Sequence, residues 1–116
     1  MNSDVFVFFD KMPEAYPLYK AVEDKICEEF AEVKIKVQKT QISFSNKYNF
    51  AFVSLSGKRV ILTFGLGRQV VHPKIAVSTE PYPRRWTHHV FIQTTEDVDE
   101  QVMEWIKEAY GFSMTK

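Results

Sequence analysis

The apolar residues of this chain change their spacing twice, and nothing else in the sequence limits the fold as much. Leu18, Val22, Ile26 and Phe30 recur every four residues, the spacing that lines one side of an α-helix. From Val33 the interval drops to two. Val33, Ile35 and Val37 alternate with Lys34, Lys36 and Gln38, as in a strand with one buried face. Near the end, Val98, Val102, Trp105, Ile106, Ala109 and Tyr110 restore a helical stripe. Helices and strands that are each apolar on one side bury those sides against each other. The expected fold is therefore α+β, a two-layer domain with N-terminal helices, a mainly antiparallel sheet of about five strands and a C-terminal helix.

At 116 residues the chain reads as a single domain, 1–116. Its helical part is expected over 4–31, firm from residue 15 to 31 with Pro17 in the first turn, where proline is tolerated. Before that, residues 5–9 suit a strand by composition, or a short helix capped by Ser3 or Asp4. The β-rich part spans 33–94. Its first strand runs on through Ile42 and Phe44; in that register Gln38 and Thr40 share the side of Lys34 and Lys36, and Lys39 and Gln41 face the other. A turn at 46–49, a central strand at 50–55, a tight turn at 56–58 and a return strand at 59–64 follow. An edge strand at 75–77, a loop extended by Pro81 and Pro83, and a last strand at 88–94 complete the sheet. The C-terminal helix is expected over 97–110, with Asp97 and Glu100 at capping-box spacing, Thr95 as the alternative cap and Gly111 as its stop.

The charges are sorted along the chain although they cancel in total. Residues 33–89 hold ten Lys/Arg and one acid, Glu80, a sum of +9; residues 1–32 sum to −5 and residues 90–116 to −4. A basic centre between acidic ends suits a polyanion, or a sheet that neutralises its own helices; both readings stay open. No apolar run approaches the ~18–20 residues of a membrane span. The N-terminus lacks the pattern of a signal peptide. A cytoplasmic location with no membrane partner is the expectation. The single cysteine, Cys27, excludes an intrachain disulfide and, beside Ile26, reads as a buried structural thiol. Zero net charge is compatible with a homodimer.

Arg85-Trp-Thr-His-His-Val90, followed by Asp97-x-Asp99-Glu and Trp105-Ile-x-Glu-Ala-Tyr110, resembles a bacterial and archaeal domain-of-unknown-function family. The stretches at 39–44, 50–54 and 13–19 belong to the same resemblance, which covers nearly the whole chain. The family occurs alone or as the C-terminal part of longer proteins, some labelled predicted transport proteins, and is distantly similar to YdhG-like α+β proteins. The resemblance implies a helix rather than a strand at 4–10. It brings no catalytic residues and no cofactor.

Four groups of residues could carry chemistry. The basic centre supplies phosphate contacts through Lys39, Gln41, Arg59, Arg68, Arg84 and Arg85, with Trp86 as a stacking platform and His88 beside it. Phe44, Tyr48, Phe50, Phe52 and Tyr82 interleave with these cations and serve equally as core. His88 and His89, adjacent on a strand, point to opposite faces. They cannot chelate one metal in regular geometry even with His72, so no metal site is assigned. One histidine is expected to be buried and hydrogen-bonded, the other exposed near Trp86. Gly65-Leu-Gly-Arg68 lacks both the Walker pattern and the dinucleotide fingerprint, and reads as a strand-ending loop. The carboxylates at 28–32 and 97–100 read as solvated helix faces and caps.

The first functional reading is a small noncatalytic module that binds an anionic partner such as nucleic acid. The second is a protein-interaction or small-ligand module, dimeric, with Phe50, Phe52 and Phe64 lining a pocket. The third is an enzyme built on His88 or His89 with Arg85.

Overall fold

The computed structural model describes residues 7–10, 12–56 and 59–114. A 3-10 turn, Pro13–Ala15, leads into helix α1, Tyr16–Glu29. Six strands follow: β1 Lys34–Val37, β2 Gln41–Ser45, β3 Asn49–Ser56, β4 Arg59–Leu66, β5 Ile75–Tyr82 and β6 Arg85–Ile92. A second 3-10 turn, Thr95–Asp97, precedes helix α2, Glu100–Ser113. The sheet is antiparallel throughout, in the order β1-β2-β3-β4-β6-β5. The first four strands are a meander. The chain then crosses to the far edge through residues 67–74, and β6 returns between β4 and β5.

The α+β class expected from the alternating periods is the class observed. One strand more than expected is present, because the run from Val33 to Phe44 is two strands and not one. Gln38 donates its backbone N–H to the Gln41 carbonyl at 2.8 Å and closes a hairpin. The reversal corrects the phase: Gln41 lies on the same face as Lys34 and Lys36, since Lys36 pairs with Ser43. Of the N-terminal segment, Val7 and Phe8 are helical; the remainder of the expected element at 4–6, and the hairpin residues Gly57 and Lys58, lie outside the described residues.

Helix α2 runs through Gly111 to Ser113, so Gly111 does not stop it. A Cβ there would meet nothing within 4 Å. The cap lies two residues beyond the expected one, at Asp99 and not Asp97. Asp99 accepts the Val102 N–H at 3.0 Å for α2, while Thr94 and Asp97 form a capping box on the preceding 3-10 turn.

Period-two alternation gives the sheet two unlike faces. Val60, Leu62, Phe64 and Leu66 of β4 point to the helices and are fully buried. Their neighbours Val53, Val90 and Ile92 continue that layer. Trp105 of α2 stacks on Phe64, with ring centroids 6.1 Å apart, and Tyr19 of α1 stacks on Phe44 at 6.1 Å. Phe30, Phe50 and Tyr110 form a three-ring cluster that joins the ends of both helices to β3, with Phe30 and Tyr110 stacked at 4.3 Å. Phe50 reaches this layer because a bulge between β2 and β3 leaves it without a cross-strand partner. Burial of these apolar side chains, worth roughly 1.5–3 kcal/mol each, is the main stabilising contribution.

Candidate functional site

The opposite face of the sheet carries neither helix. Its side chains form rows across the strands. One row runs Lys36, Ser43, Phe52, Thr63, His89 and Val77, from β1 to β5. A second runs Gln41, Ser54, Ile61 and Phe91. A third holds Gly65, Thr87 and Thr79. Phe52, Ile61 and Phe91 are half-buried, and Val77 is 47% exposed. A sheet face that stayed wet without a partner would be expected to alternate polar residues outward. This one places rings and aliphatic groups at its centre.

Cations stand around these rows. Lys34 and Lys36 are exposed on edge strand β1. The Arg59 guanidinium sits 4.7 Å from the centre of the Phe91 ring, a cation–π contact. Arg85 lies across Gly65: a Cβ built on Gly65 would be 3.7 Å from Arg85 Nε. Among the described residues, none of these four cations is ion-paired to a carboxylate.

The ion pairs fall elsewhere. Arg68 donates through Nε and Nη2 to both carboxylate oxygens of Glu108 on α2, at 2.9 and 2.8 Å. Lys74 pairs with Asp99 at 2.7 Å, and Lys107 joins α2 to Glu29 of α1 at 3.0 Å. The two alternatives for the basic centre therefore divide by position. Arg68 and Lys74 of the 67–74 loop pair with α2 and its cap, and Lys34, Lys36 and Arg59 on the open face are exposed.

The residues singled out in the sequence do not form one cluster. Arg59, Arg85 and Gln41 lie on the open face. Lys39 is in the β1–β2 turn, and Arg84 is in the β5–β6 turn with a left-handed backbone, φ 65°. The Arg84 N–H donates to Glu80 Oε2 at 3.1 Å. Arg68 is engaged by Glu108. Trp86 alternates with Arg85 and points to the helix side, where it pairs with Leu66. It is not a platform beside Arg85.

His88 points the same way and is 0% exposed. Its Nε2 accepts the Val70 N–H at 2.9 Å, and its ring stacks on Phe64 at 5.5 Å. An accepting Nε2 puts the proton of the neutral ring on Nδ1, which has no hydrogen-bond partner among the described residues. Burial pushes the His88 pKa below the usual histidine range; nearby backbone groups of Trp86 and Phe64 oppose this only in part. His88 therefore pins the 67–74 loop over β6 and does not meet a surface partner.

His89, one residue on, is half-buried at the centre of the open face, with Nδ1 2.9 Å from Thr63 Oγ1. Desolvation lowers its pKa as well. Arg85 shares its face, four residues along the strand. Phe50, Phe52 and Phe64 do not line a common pocket, because Phe52 faces away from the other two. Phe52, His89 and Phe91 share the open face; of these, Phe91 was not among the residues singled out in the sequence. The even–odd split of residues 85–92, with Trp86, His88, Val90 and Ile92 on one side, is the signal that places His89 and Phe91 on the other.

Cys27 corrects the expectation of a buried thiol. It is exposed, one position round the helix from buried Ile26, and partial desolvation raises its pKa. Among the described residues, no three His, Cys, Asp or Glu side chains are placed to hold a metal ion. No described helix is long and apolar enough to cross a membrane.

No curated protein sequence and no solved structure matches the chain. A family profile described as Domain of unknown function (DUF5655) matches residues 7–113. With that match spanning almost every residue from the first helix to the end of α2, the chain belongs to the DUF5655 family.

Proposed function

We propose that the protein is a noncatalytic binding module whose open sheet face receives an anionic partner. The observation that carries this is the segregation of charge. Both helices and their acidic side chains lie behind the sheet, and Lys34, Lys36, Arg59 and Arg85 surround a half-apolar surface in front of it. Cations left without carboxylate partners around desolvated rings attract anions more strongly than the same charges spread over a wet surface. Face-to-face pairing of two copies would bring these four like charges together, which disfavours this face as a homodimer interface.

Binding of a labelled polyanion, followed by fluorescence anisotropy at rising salt, tests the reading. Several neutralised anionic groups give a log–log slope steeper than about −3, and Arg59→Ala with Arg85→Ala flattens it. Arg68→Ala, which removes a cation already paired to Glu108, leaves the slope unchanged. Absence of binding at low salt overturns the proposal.

A further inference from the structure

We infer that the anionic partner is single-stranded nucleic acid, laid over β3, β4 and β6 between Arg85 and Arg59, an inference that rests on the anion-binding reading above. Three features of the face choose this ligand over other polyanions.

The first is the length of the track. Arg59 adjoins Val60, which pairs with Ile92, so Arg85 and Arg59 stand at opposite ends of β6. Their guanidinium groups lean inward, Arg59 over Phe91 and Arg85 Nε beside Gly65, which pairs with Thr87, so about four strand residues, ~14 Å, lie between them. Two guanidinium groups that far apart suit a backbone with charges at intervals. A single phosphate or a small dicarboxylate would touch only one of them.

The second is what lies between. Phe52 sits in the middle row with Thr63 and His89 beside it. The residue is half-buried, so part of it remains open to solvent. Nucleobases are planar and stack on such rings whatever their sequence, for ~1–3 kcal/mol per base. Arg59 over Phe91 adds a second stacking surface, since bases also stack on guanidinium planes. Neither an acidic peptide nor a sulfated sugar presents a planar base at every charged unit.

The third is the polar lining. Between the cations the face offers Ser54, Thr63 and Thr87 hydroxyls and the Gln41 amide, without a strand carboxylate among them. Such groups donate to and accept from base edges. An anionic lipid surface would need neither them nor a ring at the centre. Duplex nucleic acid keeps its bases stacked inside and offers a flat sheet only its backbone, so it would meet the cations and miss Phe52.

The test compares three probes at matched salt: a 12-nucleotide single strand of mixed sequence, as DNA and as RNA, a 12-base-pair duplex of the same sequence, and heparin, which is anionic and has no bases. Each is titrated against wild type and against Phe52→Ala, Phe52→Leu and Arg59→Ala/Arg85→Ala. Circular dichroism checks that each variant keeps its fold, and Phe52→Leu preserves apolar volume while removing the ring. The expected result is binding to the single strand at least tenfold tighter than to duplex or heparin. Both Phe52 variants should weaken the single strand about fivefold or more and leave heparin unchanged. Equal affinity for all three probes, or indifference of the single strand to Phe52→Leu, overturns single-strand recognition and leaves the anion-binding reading standing. Tighter binding to heparin assigns the face to sulfated polysaccharides instead. Failure of every probe at low salt removes both proposals together.

Discussion

His88 holds the backbone N–H of Val70 at 2.9 Å from its Nε2, and this one bond ties the loop that follows β4 to the strand that lies beside it. The loop has further anchors: Arg68 to Glu108, Gln69 to Ser78 at 3.0 Å, and His72 edge-on to Trp105 at 5.1 Å. Only the His88 bond is buried, and only there does the side chain have to stay neutral. A proton on Nε2 would face a donor where an acceptor is needed.

A pH dependence of stability follows. The His88 pKa is lower folded than unfolded, so its contribution is fully present above the unfolded value of about 6.5 and is lost as pH falls through and below that value. His89 is shifted the same way by desolvation and adds to the slope. Chemical denaturation at pH 5, 6, 7 and 8 should show stability falling toward acid. His88→Gln, which can offer an acceptor without titrating, should flatten much of that fall, and His89→Gln the remainder. His88→Ala should cost about 2–4 kcal/mol at pH 7 through the cavity and the orphaned Val70 N–H.

The two faces of β4 should respond unequally to the same truncation. Leu62 is fully buried behind the sheet, and its neighbour Ile61 is half-buried in front. Leu62→Ala should destabilise by about 2–5 kcal/mol, and Ile61→Ala by less than about 1.5. Urea unfolding of both variants measures the difference. Equal losses would mean that the front face is packed as tightly as the back.

Cys27 should react in the native state, because it is exposed on α1. Its raised pKa keeps it mostly as the thiol at neutral pH, so the reaction should be slower than that of a free cysteine. Maleimide labelling of the folded protein should go to completion without denaturant, faster as pH rises. Labelling only after unfolding would contradict its position.

Much of the fold was legible from period alone. The four-residue spacing of Leu18, Val22 and Ile26, the alternation at Val33–Val37 and the stripe ending at Tyr110 correspond to α1, β1 and α2. What stayed hidden was settled by reversals and by distant partners. Gln38, Lys39 and Thr40 include no glycine or proline, so the β1–β2 hairpin leaves no turn signature, and the facing of Gln41 depends on that hairpin. Arg68 has a partner 40 residues away, beyond the reach of any local pattern. Cys27 adjoins Ile26 in sequence but lies about 100° round the helix from it. The charge sorting was plain in the sequence. Which cations the acidic helices would take depended on which face they covered, a property of the assembled layers.

The central claim is that the partner binds the sheet face without helices. Backbone amide chemical shifts of the isotope-labelled protein, followed by NMR during titration with a single-stranded oligonucleotide, test it most directly. The account predicts that the largest changes fall on Phe52, Thr63, Arg85, His89 and Phe91, with Leu18, Glu104 and Glu108 unmoved. Changes centred on α1 and α2, or none at saturating oligonucleotide and low salt, would contradict it.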